Sequence, residues 1–307
     1  MCYFWGTMRH DQSSTTAENN AAIRAYESMR PTGQRVCNDP CARHFISDAL
    51  LQAPNLRAAL AEQMTAWQRF FPGVCDAIVA RTRFIDDCLE TEIEAGLRQL
   101  VLLGAGYDTR ALRFDCRAAG ITVFELDHPA TQAKKLDRYR RRLQAIPEHV
   151  VFVPVDFNAA QPDRALCEAG FDRAKKSFFI WEGMTYYIPP AAVHKTLSFV
   201  ADIAPAGAAL TFDYVPSAVI SGTSHLIEAG RLTAALKQVG EEFLFGLDPD
   251  QAGPFLHRHG FQLITNQTAQ SSNSLYFEAV PGKRGMSRMF FFALARVNAA
   301  PLGSQGH

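Results

Sequence analysis

VLLGAGYDTR, residues 101–110, is the stretch whose reading decides the fold. An apolar run, Leu100 to Leu103, breaks into Gly104-Ala105-Gly106 and then into a polar, helix-starting pair, Asp108-Thr109. A buried parallel strand that ends in a tight turn has this form, and glycine, lacking a Cβ, lets backbone approach a ligand. A second apolar run, ITVFELD at 121–127, ends in acid. In a Rossmann-type sheet, an acid at the tip of the second strand holds the two hydroxyls of an adenosine ribose. The pattern therefore predicts a nucleotide-type site at the carboxyl ends of these strands.

Two ligand classes fit such a turn. A dinucleotide-binding oxidoreductase wants Gly-x-Gly-x-x-Gly/Ala, but the sixth position here is Thr109. No Tyr-x-x-x-Lys set follows the fourth strand signal either, because Tyr187 runs into Pro190-Ala191. The Asp108 carboxylate would repel a pyrophosphate, which wants a bare helix N-terminus. S-adenosylmethionine carries an adenosine and no phosphate, so the sequence favours the methyl donor over a nicotinamide.

The rest of the chain sets bounds. Its 307 residues, 48% hydrophobic, suffice for one large α/β domain or one with an elaboration. Thirty-one basic residues balance 31 acidic ones, so no global field draws nucleic acid or a membrane surface. The start, MCYFWGTMRHDQSS, lacks the basic and apolar regions of a secretory leader, and no apolar window approaches a membrane span. Seven cysteines without framework spacing, Cys37 and Cys41 included, read as reduced thiols of a cytoplasmic protein with no metal site. His257 and His259 read as surface or helix-capping histidines.

Residues 1–20, polar and rich in Ser, Thr and Asn, predict a flexible N-terminus, and 299–307 a tail. Residues 21–298 form one expected domain. Its first part, 21–97, reads as a helical lid, with helices over 21–29, 42–51, 56–71 and 74–94. From 98 the period changes to short apolar runs at 99–103, 121–126, 150–155, 177–181, 208–215, 261–266 and 288–297, separated by helix-length segments. That alternation predicts a Rossmann-like seven-stranded α/β core, with a helical insertion at 216–256 between strands five and six. The basic run from Lys134 and Lys135 through Arg138, Arg140, Arg141 and Arg142 reads as a solvated helix face.

The tips of strands one to four carry Gly104 and Gly106, then Asp127, then Asp156-Phe157, then Glu182. Carboxyl tips of parallel strands converge on one crevice, so four polar tips read as one site. ARTRFID (80–86), LLGAGYDTR (102–110), FELDHP (124–129), PVDF (154–157), WEGMTYYIPP (181–190) and GEEFLFGLDP (240–249) follow in order. With these motifs the chain resembles the leucine carboxyl methyltransferase-like family of S-adenosylmethionine-dependent methyltransferases, in its bacterial, polyketide-type O-methyltransferase branch. The resemblance covers roughly residues 20–297. It implies a class I methyltransferase fold, S-adenosyl-L-methionine as methyl donor and S-adenosyl-L-homocysteine as product.

By the same resemblance, Arg81 pairs with the methionyl carboxylate, with Arg83 as the alternative. Gly104 and Gly106 line the methionyl side. Asp127 holds the ribose, with Glu125 as the alternative, and Asp156 with Phe157 forms the adenine slot. Glu182 lies near the methionyl amine, and Arg24 is a basic residue of the lid. Tyr186, Tyr187 and Tyr214 are candidates for orienting an acceptor. A carboxylate acceptor is already ionised at neutral pH, whereas a phenol usually needs a base. The matched motifs hold no well-placed histidine, His128 included, which favours a carboxylate of a small molecule or peptide terminus over a phenol or hydroxyl. A non-catalytic S-adenosylmethionine-binding protein is the alternative of another class. Oligomeric state has no sequence signal.

Overall fold

The computed structural model describes residues 15–156 and 162–299. Seven strands form one sheet: β1 (Gln99–Leu103), β2 (Thr122–Asp127), β3 (Val150–Pro154), β4 (Ser177–Trp181), β5 (Ala209–Tyr214), β6 (Phe261–Gln267) and β7 (Phe291–Val297). Their order is β3-β2-β1-β4-β5-β7-β6. The first five pair in parallel, and β7 runs antiparallel to both β5 and β6. Every residue of β1, β4 and β5 is buried, which is why these strands read as largely apolar runs; the polar Gln99, Ser177, Thr211 and Asp213 within them are buried too.

Alternation sends their side chains into two cores. Leu100, Leu102 and Ile180 pack on one face with Ile78, Phe84, Ile85 and Leu89, whereas Val101, Leu103 and Phe179 pack on the other with Val193, Leu197 and Val200. The first helical layer includes α1 (Thr15–Ser28), α2 (Leu56–Phe70) and α3 (Val74–Glu94). On the same side, α4 (Pro129–Arg138) after β2 sets Lys135 on Glu125 and Arg138 on Phe45, whereas α5 (Pro190–Ile203) after β4 faces the other way, and α6 (Ile227–Gln238) belongs to the insertion. Strand order reverses between β1 and β4, the switch point where open α/β sheets bind ligands.

Several expectations change. Residues 15–20, assigned to a flexible terminus, already belong to α1; the remainder of that segment and 300–307 lie outside the described residues. The helix expected at 42–51 is two short pieces, Pro40–Phe45 and Asp48–Leu51, because Asp39 and Ser47 each cap a new start. Residues 288–290, read as strand, precede β7 while Met289 and Phe290 are buried. A short apolar run marks burial, not backbone conformation.

The insertion is helical at Ser217–Ile220, Ile227–Gln238 and Ala252–Arg258, but 241–248 is irregular. There Glu241, Phe243, Phe245 and Leu247 are buried while Glu242 and Leu244 are exposed, the alternation of an extended chain. The Leu244 amide donates to the Tyr186 carbonyl (2.6 Å) and the Leu247 amide to that of Val215 (2.9 Å), which ties this segment across the carboxyl ends of β4 and β5.

The basic run is not one solvated face. Lys134, Arg140 and Arg141 are exposed, but Lys135 and Arg138 are buried. Arg138 donates to the Phe45 carbonyl (2.6 Å), pairs with Glu18 and lies 4.4 Å over the Tyr107 ring. Arg142 donates to the carbonyls of His44 (2.6 Å) and Ile46 (3.0 Å). Half of the run thus clamps the N-terminal helices onto the sheet. No helix among the described residues is long and apolar enough to cross a membrane.

Candidate active site

A cleft of about 550 Å³ opens at the switch point, within the size range of small-molecule sites. α1 contributes Thr16, Ala17, Asn20 and Arg24, α3 contributes Arg81, and the segment after β1 contributes Gly104 to Arg110. Asp127, Glu182 and Tyr187 line it from the ends of β2 and β4, and Gly240 to Glu242 with Leu244 line it from the insertion.

Its floor is a buried network of charges. Arg81 Nε contacts Glu182 Oε1 (2.9 Å) and Nη1 contacts Asp213 Oδ2 (2.6 Å). Arg110 Nη1 contacts the other Glu182 oxygen (2.8 Å) and Nε contacts Asp86 (2.8 Å), while Asp108 also pairs with Arg110. Arg113 joins Asp86 to Asp39, and Asp39 binds Arg24 Nε at 2.9 Å. Four guanidinium groups thus meet five carboxylates, which leaves one negative charge. Burial raises the Glu182 carboxyl, but Arg110 and Arg81 outweigh it and hold it well below the usual carboxylate range. Sequence reasoning named Arg24, Arg81 and Glu182 and missed Arg110, Asp86 and Asp213. Arg110 had a signal, since it closes the LLGAGYDTR motif.

Gly104 and Gly106 both line the cleft, and the space beside each is used differently. Gly104 has φ +70°, and a Cβ on it would stand 1.5 Å from the Met184 sulfur. The Met184 side chain occupies the space that a Gly104 side chain would need. Gly106, φ +45°, faces open space apart from Ala17, and its amide donates to Asp127 Oδ2 (2.5 Å). The His128 amide donates to Asp127 Oδ1 (2.6 Å). Burial raises the Asp127 carboxyl while these two amides act the other way. Asp108 is neutralised by Arg110, so its predicted repulsion of phosphate is blunted.

The alternatives separate cleanly in space. Glu125 is fully buried against Lys135 Nζ (2.7 Å) and does not line the cleft. Arg83 is half exposed and pairs with Asp87 one turn on. Asp156 follows β3, is partly buried and is not among the cleft-lining residues; Phe157 lies outside the described residues. Of the three tyrosines, only Tyr187 faces the cleft. Tyr186 is buried and donates to Asp213 Oδ2 (2.9 Å). Tyr214 packs in the core against Phe291 and donates to Asn266 (2.7 Å), because alternation along β5 turns it to the other face of the sheet.

The profile of the family described as leucine carboxyl methyltransferase matches residues 17–201, more than half of the chain. The chain belongs to the leucine carboxyl methyltransferase family of S-adenosylmethionine-dependent methyltransferases. Two relatives that carry the name "Putative S-adenosyl-L-methionine-dependent methyltransferase" agree. The one from Frankia alni is 32% identical, over 81% of this chain and 82% of its own. The one from Bacillus subtilis is 30% identical, over 88% and 93%. Among solved structures, a putative methyltransferase from Thermobifida fusca aligns with a TM-score of 0.58 over 94% of this chain and 96% of its own, at 15% identity. A DUF574 family protein from Streptomyces avermitilis aligns with a TM-score of 0.58 over 94% and 98%, at 14% identity. Both share the fold.

The cleft suits the family's methyl donor. S-adenosylmethionine carries a carboxylate, an ammonium and a sulfonium, one net positive charge, against the one net negative charge of the buried network. Both Asp127 oxygens are aimed by backbone amides, and a carboxylate has about four acceptor sites, which leaves room for two ribose hydroxyls.

Proposed function

We propose that the protein transfers the methyl group of S-adenosylmethionine to a hydroxyl oxygen of a small molecule with an apolar or aromatic body. In this reading Asp127 holds the ribose, Asp156 and Phe157 the adenine, and Arg24, Arg81, Gly104, Gly106 and Glu182 the methionyl end. Bound there, the donor supplies an electrophilic methyl on a sulfonium. The protein's part is to align the acceptor oxygen with that methyl and to exclude water.

The observation that carries the choice of acceptor is the acid on the far wall. Beyond Arg81 and Glu182 the cleft is lined by Thr16, Asn20, Tyr187, Glu241, Glu242 and Leu244. This end has carboxylates and hydroxyls, and the cleft's arginines are all in ion pairs with acids. A carboxylate acceptor would sit beside Glu241 without a cation, which like-charge repulsion disfavours. An annex of about 50 Å³ shares Thr16, Asn20, Arg81 and Tyr187 with the main cleft and is walled by Trp67, Ile78, Leu232, Phe243 and Phe290, a setting for an apolar substituent. The carboxylate favoured by the sequence motifs becomes the second reading.

A matched acceptor pair decides between them. With methyl-labelled S-adenosylmethionine, 2-naphthol and its alkyl-substituted relatives are expected to gain an alkali-stable ether, and 2-naphthoate to gain little label. Label appearing instead as an ester that mild alkali cleaves would overturn the hydroxyl assignment. The cofactor side has its own test. Asp127→Ala is expected to weaken S-adenosylhomocysteine binding about 10–100-fold, since hydrogen bonds to a charged group contribute about 1.5–3 kcal/mol. Calorimetric titration reads this directly, and an unchanged affinity would remove Asp127 from the ribose site.

A further inference from the structure

Glu241 has no role in the cofactor end of the cleft, and its surroundings are unusual for a carboxylate. It is 8% exposed, yet it lines the cleft. Thr16 Oγ1 donates to its Oε2 at 2.7 Å, and Thr16 is its one hydrogen-bond donor among the described residues. Among the described residues no lysine, arginine or histidine pairs with it; nearby Lys237 pairs with Glu242. Arg24 from α1, Arg81 from α3 and Glu182 after β4 share the cleft but are held in their own ion pairs. Tyr187 is the remaining titratable neighbour, and burial followed by the Glu241 carboxylate pushes its phenol up. Tyr187 is therefore a neutral hydrogen-bonding partner at neutral pH, and Glu241 is the group able to take a proton.

We infer that Glu241 is the catalytic base that receives the proton of the methyl-accepting hydroxyl, with Thr16 as a positioning residue that aims its carboxylate. This rests on the hydroxyl reading above. In the step, a bond forms between the acceptor oxygen and the methyl carbon. The bond from that carbon to sulfur breaks, and its electron pair stays on sulfur as a neutral thioether. The hydroxyl proton passes to the free Oε1 and is later released to water through the cleft mouth. Burial raises the Glu241 carboxyl and Thr16 lowers it, which moves a carboxylate towards the range in which it works as a base near neutrality.

The experiment uses the full chain, methyl-labelled S-adenosylmethionine and 2-naphthol with its alkyl-substituted relatives. Glu241→Gln is expected to lower kcat about 100-fold or more at neutral pH, the range of general-base catalysis, while calorimetric affinity for S-adenosylhomocysteine stays within about threefold. The acidic limb of kcat/KM against pH should vanish in Glu241→Gln. It should move to higher pH in Thr16→Val, because the neutral acid gains when the donor to the carboxylate is lost. Retained turnover in Glu241→Gln, or an acidic limb that persists there, overturns the inference and leaves the hydroxyl reading intact. An alkali-labile product from the unsubstituted protein, or no methyl incorporation into any hydroxyl probe, overturns both.

Discussion

Arg81→Ala is expected to destabilise the folded protein by about 3–5 kcal/mol as well as to weaken cofactor binding about 10–100-fold. The stability cost comes from what is left behind. Asp213 is fully buried and Arg81 is its one ionic partner among the described residues, at 2.6 Å; the Gly183 amide (2.6 Å) and the Tyr186 hydroxyl (2.9 Å) alone would then hold a buried charge. Burial opposes the Arg81 charge, but Asp213 and Glu182 outweigh it and raise its pKa well above the ordinary value, so the guanidinium is permanently charged. Denaturant unfolding measures the first effect and calorimetry the second. Asp213→Asn should return part of the lost stability in the Arg81→Ala background but not the cofactor affinity, so the two roles separate in a double-mutant cycle. Arg83→Ala is the control. Its pair with Asp87 is exposed on both sides, where such pairs are worth about 0.3–0.5 kcal/mol. A larger effect at Arg83 than at Arg81 on either readout would show that the wrong arginine has been placed at the methionyl end.

Lys135→Ala is expected to cost about 3–5 kcal/mol, although Lys135 lies in a run that reads as surface charge. Its Nζ sits 2.7 Å from Glu125 Oε2 and donates to the Asp108 carbonyl (2.8 Å), so it joins α4 to β2 and to the turn after β1. Burial raises the Glu125 carboxyl and Lys135 draws it back, to about 7. A carboxyl whose folded pKa lies above its unfolded value near 4.5 contributes stability that is full below 4.5 and lost as pH rises through about 7. Without Lys135 the folded pKa climbs further, so the penalty should grow between pH 5 and pH 8. Glu125→Leu with Lys135→Met should recover most of the loss, since a buried ion pair can often be replaced by apolar side chains of similar volume. Denaturant midpoints across that pH range test both statements. A Lys135→Ala midpoint equal to that of the unsubstituted protein at pH 8 would contradict the buried-pair account.

These residues show where sequence reading reaches and where it stops. The seven strands, the glycine turn after β1 and the acid ending β2 were legible because each depends on neighbours in the chain. A buried parallel strand is mostly apolar, the turn after β1 takes positive φ at Gly104 and Gly106, and a strand tip comes directly after its apolar run. The tips Gly104, Asp127 and Glu182 do meet at one cleft, since parallel strands deliver their carboxyl ends to the same edge. Family membership followed from the same ordered motifs.

The tertiary structure decided which charges face one another. Arg81 and Asp213 are 132 residues apart in the chain and Thr16 and Glu241 are 225 apart, so no local pattern links either pair. It also decided which of several similar residues points where: Tyr187 into the cleft, Tyr186 onto Asp213 and Tyr214 into the core. Lys135 reads from sequence as one more surface cation, and only the packing of α4 on β2 brings it to Glu125. Local periodicity fixes the direction of a side chain relative to its own helix or strand, but the partner waiting there belongs to another element. Whether a charge is solvated, neutralised or left to act as a base depends on that partner, and its placement is a property of the packed fold.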